Sequence, residues 1–252
     1  MYDYLLGGLN NFAADRAAAD RVLAYLPQQR ASAVENRRFL ARAVRFLAGP
    51  EQGIGQFLDI GVGLPAKASV HEVARQASPD VRVAYVDYDP VVVSHGKAML
   101  AERNCSIVVQ ADLRDPVSVL RHPDVQAHLD FSRPVGLILV NVVHWLTDED
   151  QPADVLAVLR DTLAPGSFLV LTHMSTDLLG GTELDCVRRA ARVFDTASAQ
   201  LQFRTRPQIM EFFGDWDLIE PGLVHKHEWR PLPGIPEAPT LDITWAGVAR
   251  KP

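Results

Sequence analysis

The sequence has few of the features that mark a secreted, membrane-bound or metal-stabilised protein. It contains two cysteines in 252 residues, and Cys105 and Cys186 stand in neither a Cys-x-x-Cys motif nor a Cys/His ligand spacing. A disulfide framework and a structural zinc site are therefore not expected, and the cysteine content fits a reducing cytosol. No apolar run is long enough to span a membrane, and no signal segment opens the chain. We expect a cytoplasmic protein with no membrane partner.

An excess of basic residues is also missing. The 25 Lys and Arg residues are outnumbered by 31 Asp and Glu residues, which gives a formal net charge of −6. Because nucleic-acid binding requires a concentrated basic surface, no nucleic-acid partner is expected. The one local basic cluster consists of Arg37, Arg38, Arg42 and Arg45, a pattern typical of a solvated helix face.

Hydrophobic periodicity divides the chain into a helical start and a longer part in which strands and helices alternate. Within residues 1–52, helices are predicted over DRAAADRVLAYL and over residues 31–48. From residue 53 to 252 the predicted strands are QFLDI, VRVAYVD, SIVVQAD, PVGLILVNVV and SFLVLTH. Single helices between strands predict parallel pairing with right-handed crossovers. We therefore predict a doubly wound, mostly parallel α/β sheet in one compact domain, with an N-terminal helical cap.

The end of the chain is predicted to form an antiparallel strand pair. WDLIEPGLVHKHEW and LDITWAGVARK are joined by PLPGIPEAP, which is too short for a packed helix. His225 and His227 in the first of these strands offer two metal ligands without a convincing third, so no metal site is predicted.

The stretch FLDIGVGLP has the features of a ligand-binding turn. Gly61 and Gly63 follow the first predicted strand and precede a helix, where doubly wound sheets bind their ligands. Glycine permits close backbone approach and positive φ, although a tight turn without a ligand has the same pattern. A dinucleotide-binding turn would have a third glycine beside the pyrophosphate, and this chain has Leu64 and Pro65 there.

Acidic residues stand at the ends of the first three predicted strands. Asp87 can accept both hydroxyl groups of an adenosine ribose, which NAD and S-adenosylmethionine (SAM) share. SAM has no phosphate, so the turn can accommodate it with Leu64 in place of a glycine. Its sulfonium is cationic, which suits the carboxylate of Asp59 just before the turn. Asp112 can accept from the adenine amino group, and Leu113 can offer backbone groups to the ring. Taken alone, Asp87 or Asp112 also fits a helix cap or a turn.

Together these motifs resemble a known class of enzyme. D-I-G-V-G, Y-V-D, A-D-L and LAPGSFLVLTH are similar to a class I SAM-dependent methyltransferase from about residue 55 to the end. Over nearly the whole chain, YDYLLGGLNNFAADRAAADRV, ENRRFLARAVRFL and QFLDIGVGLP resemble the actinobacterial "S-adenosyl methyltransferase" family, also called DUF574. The resemblance implies a seven-stranded Rossmann-like sheet, SAM as cofactor, S-adenosylhomocysteine as product and no assigned acceptor.

The resemblance also implies cofactor-binding residues. The matching positions are Asp59, Gly61 and Gly63 in the glycine motif, Asp87 as the ribose acid, and Asp112 with Leu113 on the adenine side. Many methyltransferases carry an acidic residue at the start of the fourth strand, where this chain has Gly136. The acceptor side is therefore left unspecified.

Candidate catalytic residues follow the fourth and fifth predicted strands. Asn141 and His144 are expected near the methyl group, Asn141 as a cofactor contact and His144 as a general base or as a structural histidine. His173 ends the fifth strand at the same rim and is a second candidate. Methyl transfer is an in-line displacement that mainly requires alignment, and a base is needed only where the acceptor must lose a proton.

The opening segment is expected to be a lid that helps to shape the acceptor pocket. Its candidate residues are Tyr2, Tyr4, Asn11 and Phe12. Aromatic faces can contact a sulfonium by cation–π attraction, although the same residues also fit a capped helix start.

The sequence predicts a SAM-dependent methyltransferase with a small-molecule acceptor, and we count a homodimer among the expected assemblies. Three alternatives stay open: a SAM-binding protein that transfers no methyl group, a nicotinamide oxidoreductase, and a methyltransferase of macromolecules, which a basic band of Arg37, Arg38 and Arg42 near the pocket mouth would support.

Overall fold

In a computed structural model of the chain, the apolar strands form a mixed sheet with hydrophobic clusters on both faces. The structure describes residues 1–64, 68–100, 105–194, 200–232 and 241–252, with Leu100 described only in its backbone. Pro65 of the glycine turn and most of the predicted connection PLPGIPEAP lie outside the described residues.

The order of the strands confirms the predicted doubly wound, mostly parallel sheet, although the described residues form eight strands where seven were predicted. The strands are β1 (Gln56–Ile60), β2 (Arg82–Asp87), β3 (Ser106–Gln110), β4 (Gly136–Leu139), β5 (Phe168–Met174), β6 (Asp217–Leu218), β7 (Val224–His225) and β8 (Thr244–Arg250). They run in the order β3-β2-β1-β4-β5-β8-β6, and β7 also pairs with β8. The first five strands pair in parallel, and β8 is antiparallel to each of its neighbours.

Two predicted strands are shorter than their apolar runs. WDLIEPGLVHKHEW contains β6 and β7 in place of one edge strand, because Pro221 has no N–H for the ladder and Gly222 has a φ of +91°. PVGLILVNVV forms only β4, because Asn141 turns to a φ of +60° and a 3₁₀ turn follows.

The helices include those predicted and several more. They are α1 (Tyr2–Leu5), α2 (Ala13–Tyr25), α3 (Gln29–Ala48), α4 (Val70–Ala74), α5 (Pro90–Leu100), α6 (Pro116–Leu120), α7 (Pro123–His128), α8 (Pro152–Thr162), α9 (Gly181–Ala191) and α10 (Arg206–Glu211). Short 3₁₀ turns cover Val143–Trp145, Asp148–Asp150 and Arg192–Phe194. Five of these helices, α1, α6, α7, α9 and α10, have no counterpart among the helices predicted from the sequence. Among the described residues, no helix has the length and apolarity that crossing a membrane requires.

The helical start is joined to the sheet mainly through α3. Phe39 and Leu47 of α3 lie in the same buried cluster as Phe57 of β1 and Phe168 of β5. By contrast, α1 packs on α2 and α3, and α2 packs on α9. The division between cap and domain at residue 52 stays a prediction, since the hydrophobic core runs across it.

Gly136, which departs from the pattern of many methyltransferases, has a packing reason. A Cβ atom at this position would lie 2.6 Å from Cδ1 of Phe57, whose side chain is completely buried. The start of β4 therefore has no room for a side chain while that ring is present.

Candidate active site

The glycine turn after β1 is shaped by two glycines with different surroundings. Gly61 has a φ of +77° and Gly63 a φ of +64°. A Cβ at Gly61 would lie 2.4 Å from Cγ2 of Val142, so this glycine lets the turn pack on the segment after β4. A Cβ at Gly63 would meet no heavy atom of the described residues within 4 Å. As far as the described residues show, a ligand can therefore approach the Gly63 backbone closely.

Asp87 lies at the tip of β2 and holds this turn. Its Oδ2 accepts a hydrogen bond from the Gly63 N–H at 2.8 Å, and its Oδ1 accepts one from the Asp89 N–H at 3.0 Å. Burial raises the pKa of Asp87 above its ordinary value, against these two hydrogen bonds. Each carboxylate oxygen has two acceptor directions, so Asp87 can receive a ribose hydroxyl while it holds the turn.

Asp59 on β1 is a buried carboxyl group beneath the turn. Burial raises its pKa to about 7, the positive charge of Arg37 opposes this shift, and the negative charge of Asp87 adds to it. Arg37 comes from α3, and its Nη2 donates to the carbonyl oxygen of Ala68 at 2.9 Å. Both side chains line a cavity of about 80 Å³ that Gly63 and Leu64 also border. A basic and an acidic side chain thus border the same cavity next to the turn.

A buried pair on α4 and β2 supports the floor of this cavity. The Tyr85 hydroxyl accepts from the backbone N–H of His71 at 3.0 Å and lies 2.7 Å from the His71 Nδ1. Burial raises the pKa of Tyr85 far above its ordinary value. The apolar patterns of these segments give no signal for this contact.

Asp112 and Leu113 follow β3, as predicted. The side chain of Arg114 donates from Nε to both carboxylate oxygens of Asp112 at 3.0 Å, and this hydrogen bonding lowers the pKa of Asp112. Leu113 is buried in the hydrophobic cluster on one face of the sheet. Their contact with adenine stays a prediction.

The predicted lid residue Tyr2 is hydrogen-bonded to α3 and interacts with Asn141, which follows β4. Its hydroxyl donates to the Ala33 carbonyl oxygen at 3.1 Å and accepts from Asn36 Nδ2 at 3.1 Å. Burial raises the pKa of Tyr2, while hydrogen bonding with Asn36 and Asn141 and the charge of Arg37 lower it. The backbone N–H of Asn141 donates to Thr172 Oγ1 at 2.9 Å. The structure therefore brings Tyr2 and Asn141 together.

The other predicted lid residues make contacts within the helical start. The Tyr4 hydroxyl donates to Asp20 Oδ1 at 3.1 Å, and Asn11 Nδ2 donates to Asp3 Oδ2 at 2.8 Å. Phe12 precedes α2 with 62% of its surface exposed. Their contact with an acceptor stays a prediction.

His144 and His173 lie together inside the protein. The Nδ1 of His173 donates to the Met174 carbonyl oxygen at 2.7 Å, and its Nε2 accepts from Arg204 Nη1 at 3.1 Å. Burial lowers the pKa of His173 to about 4. Burial, His173 and Arg204 hold the pKa of His144 well below its ordinary value. The predicted role of either ring as a base is untested.

Arg204 is a residue of this region that sequence reasoning missed. Besides His173, its Nη2 donates to the Leu146 carbonyl oxygen at 2.9 Å and to Asp148 Oδ1 at 2.8 Å. It precedes α10 in a segment without a motif, so the sequence offers no signal for its position.

The residues of this site fit SAM. Among the described residues nothing fills the space beside Gly63, Asp87 has acceptor directions left for a ribose, and Arg37 and Asp59 in one cavity suit a ligand that carries both charges. In the described residues, no group of three or more His, Cys, Asp or Glu side chains has an arrangement that holds a metal.

Comparison with known proteins places the chain among S-adenosyl methyltransferases. The family model for S-adenosyl methyltransferases matches residues 1–252. A structure of a protein described as a methyltransferase, from Thermobifida fusca YX, is 44% identical, with a TM-score of 0.90 and coverage of 99% of this chain and 92% of that one. A DUF574 family protein from Streptomyces avermitilis MA-4680 is 35% identical, with a TM-score of 0.91 and coverage of 100% and 95%.

More distant matches show the fold alone. Human N-acetylserotonin methyltransferase, solved in complex with SAM, is 16% identical with a TM-score of 0.53, and the match covers 100% of this chain and 62% of that one. No curated protein matches the chain at a significant level. The family match over the full length and the two similar structures confirm the predicted resemblance, and the chain belongs to the S-adenosyl methyltransferase family, as a SAM-dependent methyltransferase.

Proposed function

We propose that this methyltransferase acts on a small-molecule acceptor, bound between α1 and the ends of β4 and β5. The observation that carries the proposal is the position of Tyr2, whose hydroxyl contacts α3 and lies within reach of Asn141. A lid this close to the strand ends encloses a small molecule more readily than the surface of a macromolecule.

The arginine cluster supports the same proposal. Arg42 is buried, with an ion pair to Glu35 at 2.9 Å and a hydrogen bond to the Trp229 carbonyl oxygen. Arg38 pairs with the same Glu35, and Arg37 faces the cofactor cavity. These arginines therefore do not form the free basic band that a nucleic-acid substrate needs.

We assign the cofactor contacts as follows. Asp87 receives the ribose hydroxyls, the turn at Gly63 follows the ligand backbone closely, and Asp112 with Leu113 borders the adenine. SAM supplies a methyl group activated by its sulfonium leaving group. The chain's own residues hold the acceptor in line with this group and exclude water.

His144 and His173 are proposed to support the pocket wall. Because both rings are buried and burial lowers the pKa of each, neither accepts a proton readily at neutral pH. The reaction then relies chiefly on orientation. We expect His144→Ala to leave the affinity for SAM nearly intact, as calorimetry on the folded variant will show. A loss of about tenfold, the size expected for a lost cofactor hydrogen bond, would place His144 in the cofactor site instead.

The cofactor is tested by parallel calorimetric titrations of the purified protein with SAM, S-adenosylhomocysteine and NAD. We expect the first two ligands to bind and NAD not to bind. Binding of NAD alone would overturn the argument from Leu64 and the missing third glycine.

The acceptor class is tested with methyl-labelled SAM and a bacterial extract separated by ultrafiltration into small-molecule and macromolecular fractions. We expect label to enter products of the small-molecule fraction, and Asp87→Ala to abolish this transfer at low SAM concentration. Label found only in the macromolecular fraction would contradict the proposal.

A reducing compartment is proposed as the site of action, because Cys105 and Cys186 are both free thiols. The predicted homodimer is tested by light scattering of the purified chain.

A further inference from the structure

Arg37 occupies a different environment from its neighbours in the arginine cluster. Its half-buried side chain leaves α3 toward the cavity that Asp59, Gly63 and Leu64 border. Arg38, the next residue, has 41% of its side chain exposed and pairs loosely with Glu35 at 3.5 Å. Arg37 is therefore the member of this pair that faces the cofactor site.

The charge of Arg37 acts on groups from three separate elements. Burial raises the pKa of Asp59 on β1, of Tyr2 on α1 and of Tyr85 on β2, and the charge of Arg37 opposes each of these shifts. Its Nη2 is hydrogen-bonded to the carbonyl oxygen of Ala68, just before α4. The guanidinium thus lies where the lid, the first two strands and the glycine turn converge.

The ligand carries charges that complement this arrangement. SAM has a cationic sulfonium and a cationic ammonium, and its single anionic group is the α-carboxylate of its methionine part. A guanidinium recognises a carboxylate through paired N–H donors in a planar fork. A carboxylate beside it, such as that of Asp59, can face the ammonium. An arginine and an aspartate that line one cavity therefore match the two charges of an amino-acid group.

The two ends of the site give the ligand a direction. Asp87 marks the ribose end at the tip of β2, and Tyr2 with Asn141 marks the opposite end beyond β4. Arg37 and Asp59 line one cavity together with Gly63, whose N–H donates to Asp87. The methionine part of a ligand whose ribose is held by Asp87 then extends toward Arg37.

We propose that Arg37 binds the α-carboxylate of SAM, with Asp59 facing the ammonium, and that Arg37 is the residue by which the site selects ligands with an intact amino-acid group. The inference rests on SAM as the cofactor of this site and deepens the proposed function. It also assigns a role to an arginine that the sequence pattern describes as part of a solvated helix face.

The test compares two ligands that differ only in the carboxylate. Calorimetry measures binding of S-adenosylhomocysteine and of its decarboxylated form, S-adenosyl-3-thiopropylamine, to the wild type, Arg37→Gln, Arg37→Lys and Arg38→Gln. Arg38→Gln removes the same charge one residue away and serves as the matched control. Thermal unfolding confirms that each variant is folded.

We expect the wild type and Arg38→Gln to prefer S-adenosylhomocysteine by about tenfold or more, the size of a charge-assisted hydrogen bond. Arg37→Gln is expected to lose this preference by weakening only the carboxylate-bearing ligand, and Arg37→Lys to keep part of it. An unchanged preference in Arg37→Gln, or an equal loss for both ligands, would overturn the inference. Failure of the wild type to bind either ligand would instead count against SAM as the cofactor.

Discussion

At the scale of single residues, the site holds a carboxylate where its charge is disfavoured. Asp59 is buried beneath the glycine turn, and its pKa is raised to about 7, above the ordinary 3.8. A site that binds a doubly cationic end of a ligand gains from such an anion, while the protein without ligand bears the cost of desolvating it. Stability and binding therefore make opposite demands on this position.

Replacing Asp59 by Asn separates these demands. A raised pKa in the folded state means that Asp59 contributes stability below its unfolded pKa, and that this contribution is lost as the pH rises through 7. Urea unfolding measures the difference in unfolding free energy between Asp59→Asn and the wild type at each pH. We expect this difference to shift in favour of Asp59→Asn by about 1–3 kcal/mol from pH 5 to pH 8. SAM binding should weaken in the same variant. The exposed Asp217→Asn is the control, and a pH-independent difference for Asp59→Asn would contradict the prediction.

Asp87 has a double task, because it holds Gly63 and is proposed to receive the ribose. We expect Asp87→Ala to weaken SAM binding by about 1–3 kcal/mol, from the loss of charge-assisted hydrogen bonds. Calorimetry checks this, with Asp89→Ala as the control, since Asp89 accepts from the Val91 N–H at the start of α5. Unchanged affinity in Asp87→Ala would remove Asp87 from the cofactor site.

The candidate site residues whose proximity could be predicted from the sequence are those that stand at strand ends. Asp59, Gly63 and Asp87 come together because neighbouring parallel strands end at the same edge of the sheet. The sequence pattern did not assign Arg37 or Arg204 to a site. Arg37 lies on a helix that precedes the sheet, and Arg204 lies in a segment far along the chain. Their positions follow from tertiary packing, which leaves no local pattern.

At the scale of elements, strand existence was predictable and strand length was not. The apolar run through β4 continues to Val143, and nothing in its hydrophobicity shows that Asn141 adopts a left-handed φ. The edge strand is divided for a reason that is visible in the sequence, the Pro-Gly pair at 221–222, which the strand prediction did not weigh.

Arg204 connects the segment before α10 to β5 and to the 3₁₀ turns after β4. Arg204→Met removes the donor to two buried acceptors, His173 Nε2 and the Leu146 carbonyl oxygen. Because a buried acceptor without its donor is unfavourable, we expect a loss of about 1–3 kcal/mol in unfolding free energy for each of them. Urea unfolding measures the loss. Asp148→Asn is the matched control, because that carboxylate is 93% exposed and its ion pair should contribute about 0–1 kcal/mol. Equal effects of the two substitutions would contradict this account.

At the scale of the whole molecule, a buried polar network ties the helical start to the end of the chain. Lys226 Nζ donates to Ser32 Oγ and to Asp242 Oδ1, each at 2.8 Å. The charge and hydrogen bond of Lys226 lower the pKa of Asp242 against the effect of burial. Since that folded-state pKa is depressed, the stability it gives is present above the unfolded pKa and is lost as the pH falls through the folded one.

Removing one partner of the Lys226–Asp242 ion pair should destabilise the protein more than replacing both partners by apolar residues. We expect Lys226→Met to cost about 3–5 kcal/mol in unfolding free energy, because Asp242 is left buried without its cation. The double variant Lys226→Met/Asp242→Leu should recover part of that loss. Chemical denaturation of the single and double variants forms a double-mutant cycle, and strict additivity would show that the two residues do not stabilise each other.

The overall topology could be predicted because alternating strands and helices leave a local record in hydrophobic spacing. The contacts that cross the molecule leave none, such as Lys226 with Ser32 or α2 with α9. The candidate site at the strand ends is an intermediate case, which the sequence predicts only in part. The residues proposed to bind the cofactor follow from the order of the motifs, whereas the proposed acceptor side depends on how α1 packs on α2 and α3.

The close approach of Gly136 to the Phe57 ring has an evolutionary consequence. Position 136 can hold a side chain, including the acidic one of many methyltransferases, only if the ring at position 57 becomes smaller or turns away. In an alignment of this family, the two positions are expected to covary, with bulk at one accompanied by loss of bulk at the other. Substitution at 136 and substitution at 57 are thus coupled steps, and whichever comes first passes through a poorly packed intermediate.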